Sequence, residues 1–286
     1  MGINIRTNVE SLRAQRDLNS TSDRLRTAYA RLSSGLRITK AADDAAGLAI
    51  AEQLRADARI ATVAIRNAND GISIIAITDG AMNEITNALI RMAELAEQSA
   101  NGVFSNVQRS ALQLEFSAVG SEVERIAQTT VFNGLQLLVG GLDVTFQVGF
   151  DGQSNSQISY SGVQANLAAI GLAATGSPNL IFSITGANEA LSQVAARSAL
   201  DAVQTAIDSL TRNRGTLGAA ESRLNITIQN LQVARENFSA AESRIRDVDV
   251  AAEAAELTRL NILQQAATAV LAQANQQPQL ALSLLQ

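Results

Sequence analysis

Residues 260–286 read LNILQQAATAVLAQANQQPQLALSLLQ, and none of these side chains carries a charge. Leu260, Leu263, Ala267, Val270 and Ala274 are spaced by three and four, which draws one apolar stripe along an α-helix. The opposite face holds Gln264, Gln265, Gln273 and Asn275, polar but not ionic. A charge-free helix is a poor solvent-facing helix, and most of its stability must come from being surrounded. Either another part of the chain covers it or another copy does.

The other end of the chain offers a partner. Residues 9–33 read as a helix in which Leu18, Leu25 and Leu32 repeat every seven, with Thr21 and Ala28 between them. Residues 1–40 carry eight basic side chains against three acidic, a balance of +5 in a chain whose total is −5. Residues 241–286 carry three basic against five acidic, which is −2. Two heptad-like ends of opposite sign predict a coiled pairing, of the ends with each other or with those of neighbouring copies.

Between the ends the pattern is mostly helical. Ser33-Ser34-Gly35 interrupts the first helix, and Asp43-Asp44 precedes an Ala-rich run. An Asp pair can serve a metal, acid–base chemistry or a helix N-cap; with no His or Cys present, capping is the stronger reading. Residues 43–101 read as one long helix, with Asn69-Asp70-Gly71 as a candidate break. Met82, Ile85, Leu89, Met92 and Ala96 form a core stripe on it rather than a ligand box. Asn101-Gly102 stops that helix, and a second runs over 105–129 with Leu112, Phe116, Val119, Val123 and Ile126 on one face.

Residues 135–187 change character. Val144, Phe146, Val148 and Phe150 alternate at strand spacing, and Asp151-Gly152 and Thr185-Gly186 are turn signals. An Ala-rich helical piece is expected near 165–174. Helix returns over 188–238 on a stripe of Leu200, Val203, Ile207, Leu210, Leu217, Leu224, Ile228 and Leu231, interrupted by Arg214, Glu221 and Arg235. Such interruptions fix register or partner choice at a cost in stability. Residues 243–249 form a polar joint before the last helix.

Composition narrows the function. The hydrophobic share is 47% but aromatics make up only 3%, which suits thin layers of packed helices. A net charge of −5 argues against general nucleic-acid affinity. Without Cys or His, most zinc sites and all Ser-His or Cys-His catalysis are excluded. No acid–base–nucleophile constellation, phosphate-binding Gly loop or cofactor motif is present, so no enzyme is expected. No window reaches about 20 uninterrupted apolar residues, so no membrane insertion is expected. The N-terminus lacks the apolar core of a secretory signal, and any export is expected to need no cleaved signal.

Particular motifs carry a family resemblance. Leu32-Ser33-Ser34-Gly35-Leu36-Arg37-Ile38 and Ala42-Asp43-Asp44-Ala45-Ala46-Gly47-Leu48-Ala49-Ile50 resemble the N-terminal signature of bacterial flagellins. Ser243-Arg244-Ile245-Arg246-Asp247-Val248-Asp249, Ile262-Leu263-Gln264-Gln265-Ala266 and Val270-Leu271-Ala272-Gln273-Ala274-Asn275-Gln276 resemble their C-terminal signature. Gln98-Ser99-Ala100-Asn101-Gly102 and Phe132-Asn133-Gly134 match shorter family marks, and the resemblance spans roughly 1–138 and 188–286.

The resemblance implies a mainly α protein: a long antiparallel helical rod or coiled coil built by the N- and C-terminal halves, with a small β-rich central insert. Its segments would be a core coiled-coil segment at 1–40, a rod segment at 41–138, the insert at 139–187, a second rod segment at 188–242 and a second core segment at 243–286. It implies a subunit that polymerises with its own copies into the extracellular flagellar filament, through the flagellar type III export route. An export chaperone, a filament cap and hook–filament junction proteins are the implied partners, with no cofactor or metal. The filament core would be packed by Leu18, Leu25, Leu32, Leu260, Leu263, Ala267, Val270 and Ala274. Both ends, marginal as isolated helices, are expected to fold when copies stack.

By the same resemblance, Arg91, Leu95 and Glu115 match the positions that contact the animal Toll-like receptor for flagellin. Ala93 and the 103–110 segment depart from the recognised pattern. The plainer reading makes Arg91 and Glu115 surface charges and Leu95 a packing residue. Two other identities stay open: a hook–filament junction protein, and a secreted helical adaptor that binds a partner groove.

Overall fold

The computed structural model describes residues 7–140, 143–160 and 162–283, with backbone alone for 277–283. Side chains beyond 276, the apolar end of the charge-free stretch among them, lie outside this description, as do residues 1–6. Five α-helices carry the described chain: α1 Val9–Ser34, α2 Ala45–Ala100, α3 Asn106–Thr129, α4 Glu189–Arg246 and α5 Val250–Ser283. Two small antiparallel pairs lie between α3 and α4: β1 Val131–Phe132 with β2 Leu135–Gln136, and β3 Val144–Gln147 with β4 Gln157–Tyr160. The fold is mainly α with a small β-containing insert, as the sequence predicts.

The chain divides into two compact units, Met1–Ala58 with Arg235–Gln286, and Arg59–Ala234. Helices α2 and α4 contribute to both.

In the second unit α2 and α4 run antiparallel. Ala61 and Ala64 cluster with Leu231, Gly71 faces Leu224, and Asp79 pairs with Arg214. The α2 seam repeats at 61, 64, 68, 71, 75, 78, 82, 85, 89 and 92, all buried. The α4 seam combines Val203, Leu210, Leu217, Leu224 and Leu231 with Ala199, Ala206 and Ala220. The sequence stripe takes Leu200 and Ile207, each one residue further on and half-buried at the seam's edge, and Glu221, which interrupts it, is exposed. The small residues win the central positions because they leave the α2 backbone room to approach.

Helix α2 passes through Asn69-Asp70-Gly71 without a break. Gly71 serves packing: a Cβ there would stand 3.1 Å from Leu224 and 3.2 Å from Phe146. Phe146 belongs to the β3–β4 hairpin, whose Phe146, Val148, Ile158 and Tyr160 side chains join the core formed with α2, α3 and α4. Residues 165–174 form turns rather than the expected helix, anchored by buried Ala165, Leu167, Ile170 and Leu172. Thr185-Gly186 makes no hairpin; the Gly186 amide donates to Ser192 Oγ at 2.8 Å, at the start of α4.

In the first unit α1 pairs with α5. Asn8 caps α1 by accepting from the Ser11 amide, and Gly35 ends it in the left-handed region at φ 72°. Asp249 caps α5, accepting from the Ala251 and Ala252 amides at 3.0 and 3.1 Å.

Candidate functional site

The α1–α5 pair holds the sequence-selected packing residues. On α1 the residues turned inward are 11, 14, 18, 21, 25, 28 and 32, an unbroken three–four repeat. Leu25 is buried, and Leu18 and Leu32 are half-buried. On α5 the inward repeat is 253, 257, 260, 264, 267, 271 and 274. Leu260 and Ala274 are buried and Ala267 is half-buried. Leu263 and Val270 are exposed, at 41% and 58%.

The α5 seam thus takes Gln264 and Leu271 where the sequence stripe takes Leu263 and Val270. From Leu260 onward α5 is charge-free and apolar on more than one side, so its own spacing does not choose between the two faces. Helix α1 chooses. Ser22 Oγ meets Gln264 Nε2 at 3.4 Å, Ser11 Oγ meets Asn275 Oδ1 at 2.7 Å, and Asn8 Nδ2 donates to the Ala274 carbonyl at 2.7 Å. These polar contacts fix the register and leave Ile262, Leu263 and Val270 facing outward, at 62%, 41% and 58% exposed.

The family signatures at the two ends meet at a joint. Leu36 and Asp247 form an isolated antiparallel bridge; the Arg37 amide donates to the Arg246 carbonyl at 2.6 Å and the Val248 amide to the Gly35 carbonyl at 3.0 Å. Arg246 pairs with Glu52 at 2.8 Å, and Ile38 is buried. The Asp pair acts as two caps. Asp43 Oδ2 accepts from the Thr39 amide, the Thr39 hydroxyl and the Lys40 amide at 3.1, 2.9 and 3.1 Å. The Thr39 hydroxyl bond, then the two amides, hold the Asp43 carboxyl below its ordinary range. Asp44 Oδ1 accepts from the Gly47 amide at 2.8 Å in the first turn of α2.

Arg91 and Glu115 come together on the surface of the second unit. Arg91 Nε and Nη2 donate to Glu115 Oε1 at 2.8 and 2.7 Å, and Nη1 donates to Glu94 at 2.8 Å. Glu94 and then Glu115 raise the Arg91 pKa above its usual value. Leu95 is 0% exposed and belongs to the core, so its side chain is not presented beside the other two.

Several polar anchors had no sequence signal. Arg109 is fully buried; its Nε donates to the Ser99 carbonyl and its Nη2 to the Asn101 carbonyl, each at 2.9 Å. Ser99 lies in the last turn of α2 and Asn101 just past its end, where the dipole favours a cation. Glu124 accepts from the Leu167 amide at 2.9 Å and so ties the turn region to α3. Arg109 and Glu124 each stand beside an apolar stripe, and only the facing loop makes them inward. Among the described residues no group of three or more His, Cys, Asp or Glu could hold a metal, and no helix is long and apolar enough to cross a membrane.

Paired heptad helices with an uncovered apolar face place the chain among helical proteins built on coiled-coil pairing. The chain matches the bacterial flagellin N-terminal helical region over residues 5–142 and the C-terminal helical region over residues 200–285. It is 43% identical over 281 residues to a flagellin of Halalkalibacterium halodurans, covering 98% of this chain and 99% of that one. It is 37% identical over 292 residues to the flagellar filament 33 kDa core protein of Treponema phagedenis, at 98% and 99% coverage. Among solved structures, the crystal structure of Bacillus cereus flagellin is similar over 58% of this chain and 88% of that one, with a TM-score of 0.47 and 26% identity. The chain belongs to the bacterial flagellin family, which is a family of structural proteins and not of enzymes.

Proposed function

We propose that this chain is the repeating subunit of an extracellular flagellar filament. The observation that carries the reading is the outer face of α5, where Ile262, Leu263 and Val270 stay uncovered after α1 has taken the inner face. A helix apolar on both sides needs a second cover, and other copies supply it. Contacts that repeat without closing generate an open helical polymer. In that polymer Leu263 and Val270 pack between copies, while Leu18, Leu25, Leu32, Leu260, Ala267 and Ala274 pack within each copy.

The two terminal helices fold on assembly. Their own core is small, with Leu25, Ala28 and Leu260 buried and Leu257 beside them, so the polymer supplies much of the ordering free energy. Export follows the flagellar type III route with a dedicated chaperone, and cap and hook–filament junction proteins meet the subunit at the polymer's ends. An animal Toll-like flagellin receptor would meet the exposed Arg91 and Glu115; a reporter assay on the parent and on Arg91→Ala tests that contact.

Negative-stain microscopy after addition of short filament seeds tests the main reading, beside a chain lacking 260–286. Filaments from the full chain alone are expected. A full chain that stays a folded monomer at high concentration would favour the adaptor, and one that binds filament ends without elongating would favour the junction protein.

A further inference from the structure

Of the 22 basic side chains only Lys40 is lysine; all the others are arginine, and the chain has no His and no Cys. Every ion pair found among the described residues takes arginine as its cation, from Arg13 with Glu10 to Arg259 with Glu256. We infer that this subunit is built to keep its charge, its fold and its assembly in an alkaline medium, above the range in which lysine loses its proton. An ordinary lysine does so near about 10.4, whereas arginine stays charged beyond about 12.

The charge balance shows how far this goes. Complete loss of the Lys40 charge takes the formal total from −5 only to −6, and ionising both tyrosines would bring it to −8. Burial raises the Tyr160 pKa further. A chain with lysine at all 22 basic positions would fall to −27 over the same range. In a polymer that stacks copies of one chain, such self-repulsion acts within and between subunits.

Geometry adds to composition. Arg214 on α4 faces Asp79 and Asn83 of α2 and grips Asp79 through Nε and Nη2. Arg125 and Arg259 take Glu122 and Glu256 in the same forked way. Arg246 meets Glu52 and Glu242, and Arg31 meets Glu253 at 4.0 Å. The fork needs a planar guanidinium, which an ammonium does not replace.

The test compares the parent with a chain carrying Arg13→Lys, Arg26→Lys, Arg55→Lys, Arg125→Lys and Arg259→Lys. Each of these arginines pairs with a carboxylate three residues away on its own helix, so the fold at neutral pH is preserved. Thermal unfolding and seeded elongation are read at about pH 7, 9 and 11. The expected result is that both chains unfold alike at pH 7, that the parent keeps its unfolding temperature and elongation rate at pH 11, and that the lysine chain loses both, elongation severalfold. A parent that falls with the variant, or a variant that holds with the parent, overturns the inference. The elongation arm rests on the filament reading; the unfolding arm does not, so absence of elongation at every pH would count against that reading alone.

Discussion

Arg214 grips Asp79 from the facing helix with two hydrogen bonds, Nε to Oδ1 at 2.7 Å and Nη2 to Oδ2 at 3.2 Å. The pair stands where an apolar residue would continue the α4 stripe, so the interruption is a register lock between α2 and α4. Asp79 raises the Arg214 pKa above its usual value. The side chains are 35% and 43% exposed, so solvent screens the pair. Arg214→Ala and Asp79→Ala should each cost about 0.5–1 kcal/mol, with a coupling under about 1 kcal/mol in a double-mutant cycle read by urea unfolding. Arg214→Lys should recover only part of that coupling, because it gives up the fork.

Much of the fold was legible because helical repeats announce themselves. Met82, Ile85, Leu89, Met92 and Ala96 all lie at 0% exposure, as their spacing requires. What was not legible has specific causes. Gly71 looked like a break because Asn-Asp-Gly is turn chemistry; its role comes from Phe146, 75 residues further on. Leu263 lies on the sequence stripe yet faces outward, because the charge-free stretch from Leu260 does not declare which apolar side faces its partner. Ala206 rather than the more hydrophobic Ile207 sits at the seam, because the spacing between α2 and α4 leaves room there only for a small side chain. Leu95 matched a surface role by motif position, yet its three–four neighbours on α2 turn it into the core.

Arg109 should be the most sensitive polar position in the second unit. It is fully buried and holds the Ser99 and Asn101 carbonyls at 2.9 Å, with the Glu189 carbonyl at 3.5 Å. Arg109→Ala leaves those acceptors without the donor and opens a cavity, at an expected cost of about 3–5 kcal/mol. Arg109→Met fills the volume but not the hydrogen bonds and should cost less, about 1–3 kcal/mol. Equilibrium denaturation of both variants reads the difference. A near-neutral Arg109→Met would assign Arg109 a packing role, whereas equal costs would put the whole effect on the lost hydrogen bonds.

Acid should loosen the joint before it unfolds the rest. The folded Asp43 carboxyl has a lowered pKa, chiefly through the Thr39 hydroxyl bond. A depressed carboxylate contributes stability that is fully present above its unfolded value of about 3.9 and is lost as pH falls through the folded value. Amide exchange at Thr39 and Lys40 should therefore quicken below about pH 4 beyond the ordinary pH trend. Asp43→Asn should remove that pH step and leave the two amides less protected at neutral pH.

The two faces of α5 make separable predictions. Leu260 is 2% exposed beside Leu25 and Ala28, so Leu260→Ala should destabilise the α1–α5 pair by about 2–4 kcal/mol. Amide exchange along both helices should rise within assembled filaments, where the pair is folded. Val270 is 58% exposed, so Val270→Ser should change monomer stability by no more than about 0.5 kcal/mol. If copies cover that face, the same substitution should lower seeded elongation by about tenfold or more, since each added subunit loses an apolar contact. Amide exchange within filaments and elongation rate, measured on both variants, separate the inner face from the outer. A Val270→Ser chain that elongates like the parent would mean that copies meet through another surface, and the exposed row Ile262, Leu263 and Val270 would lose its assigned role.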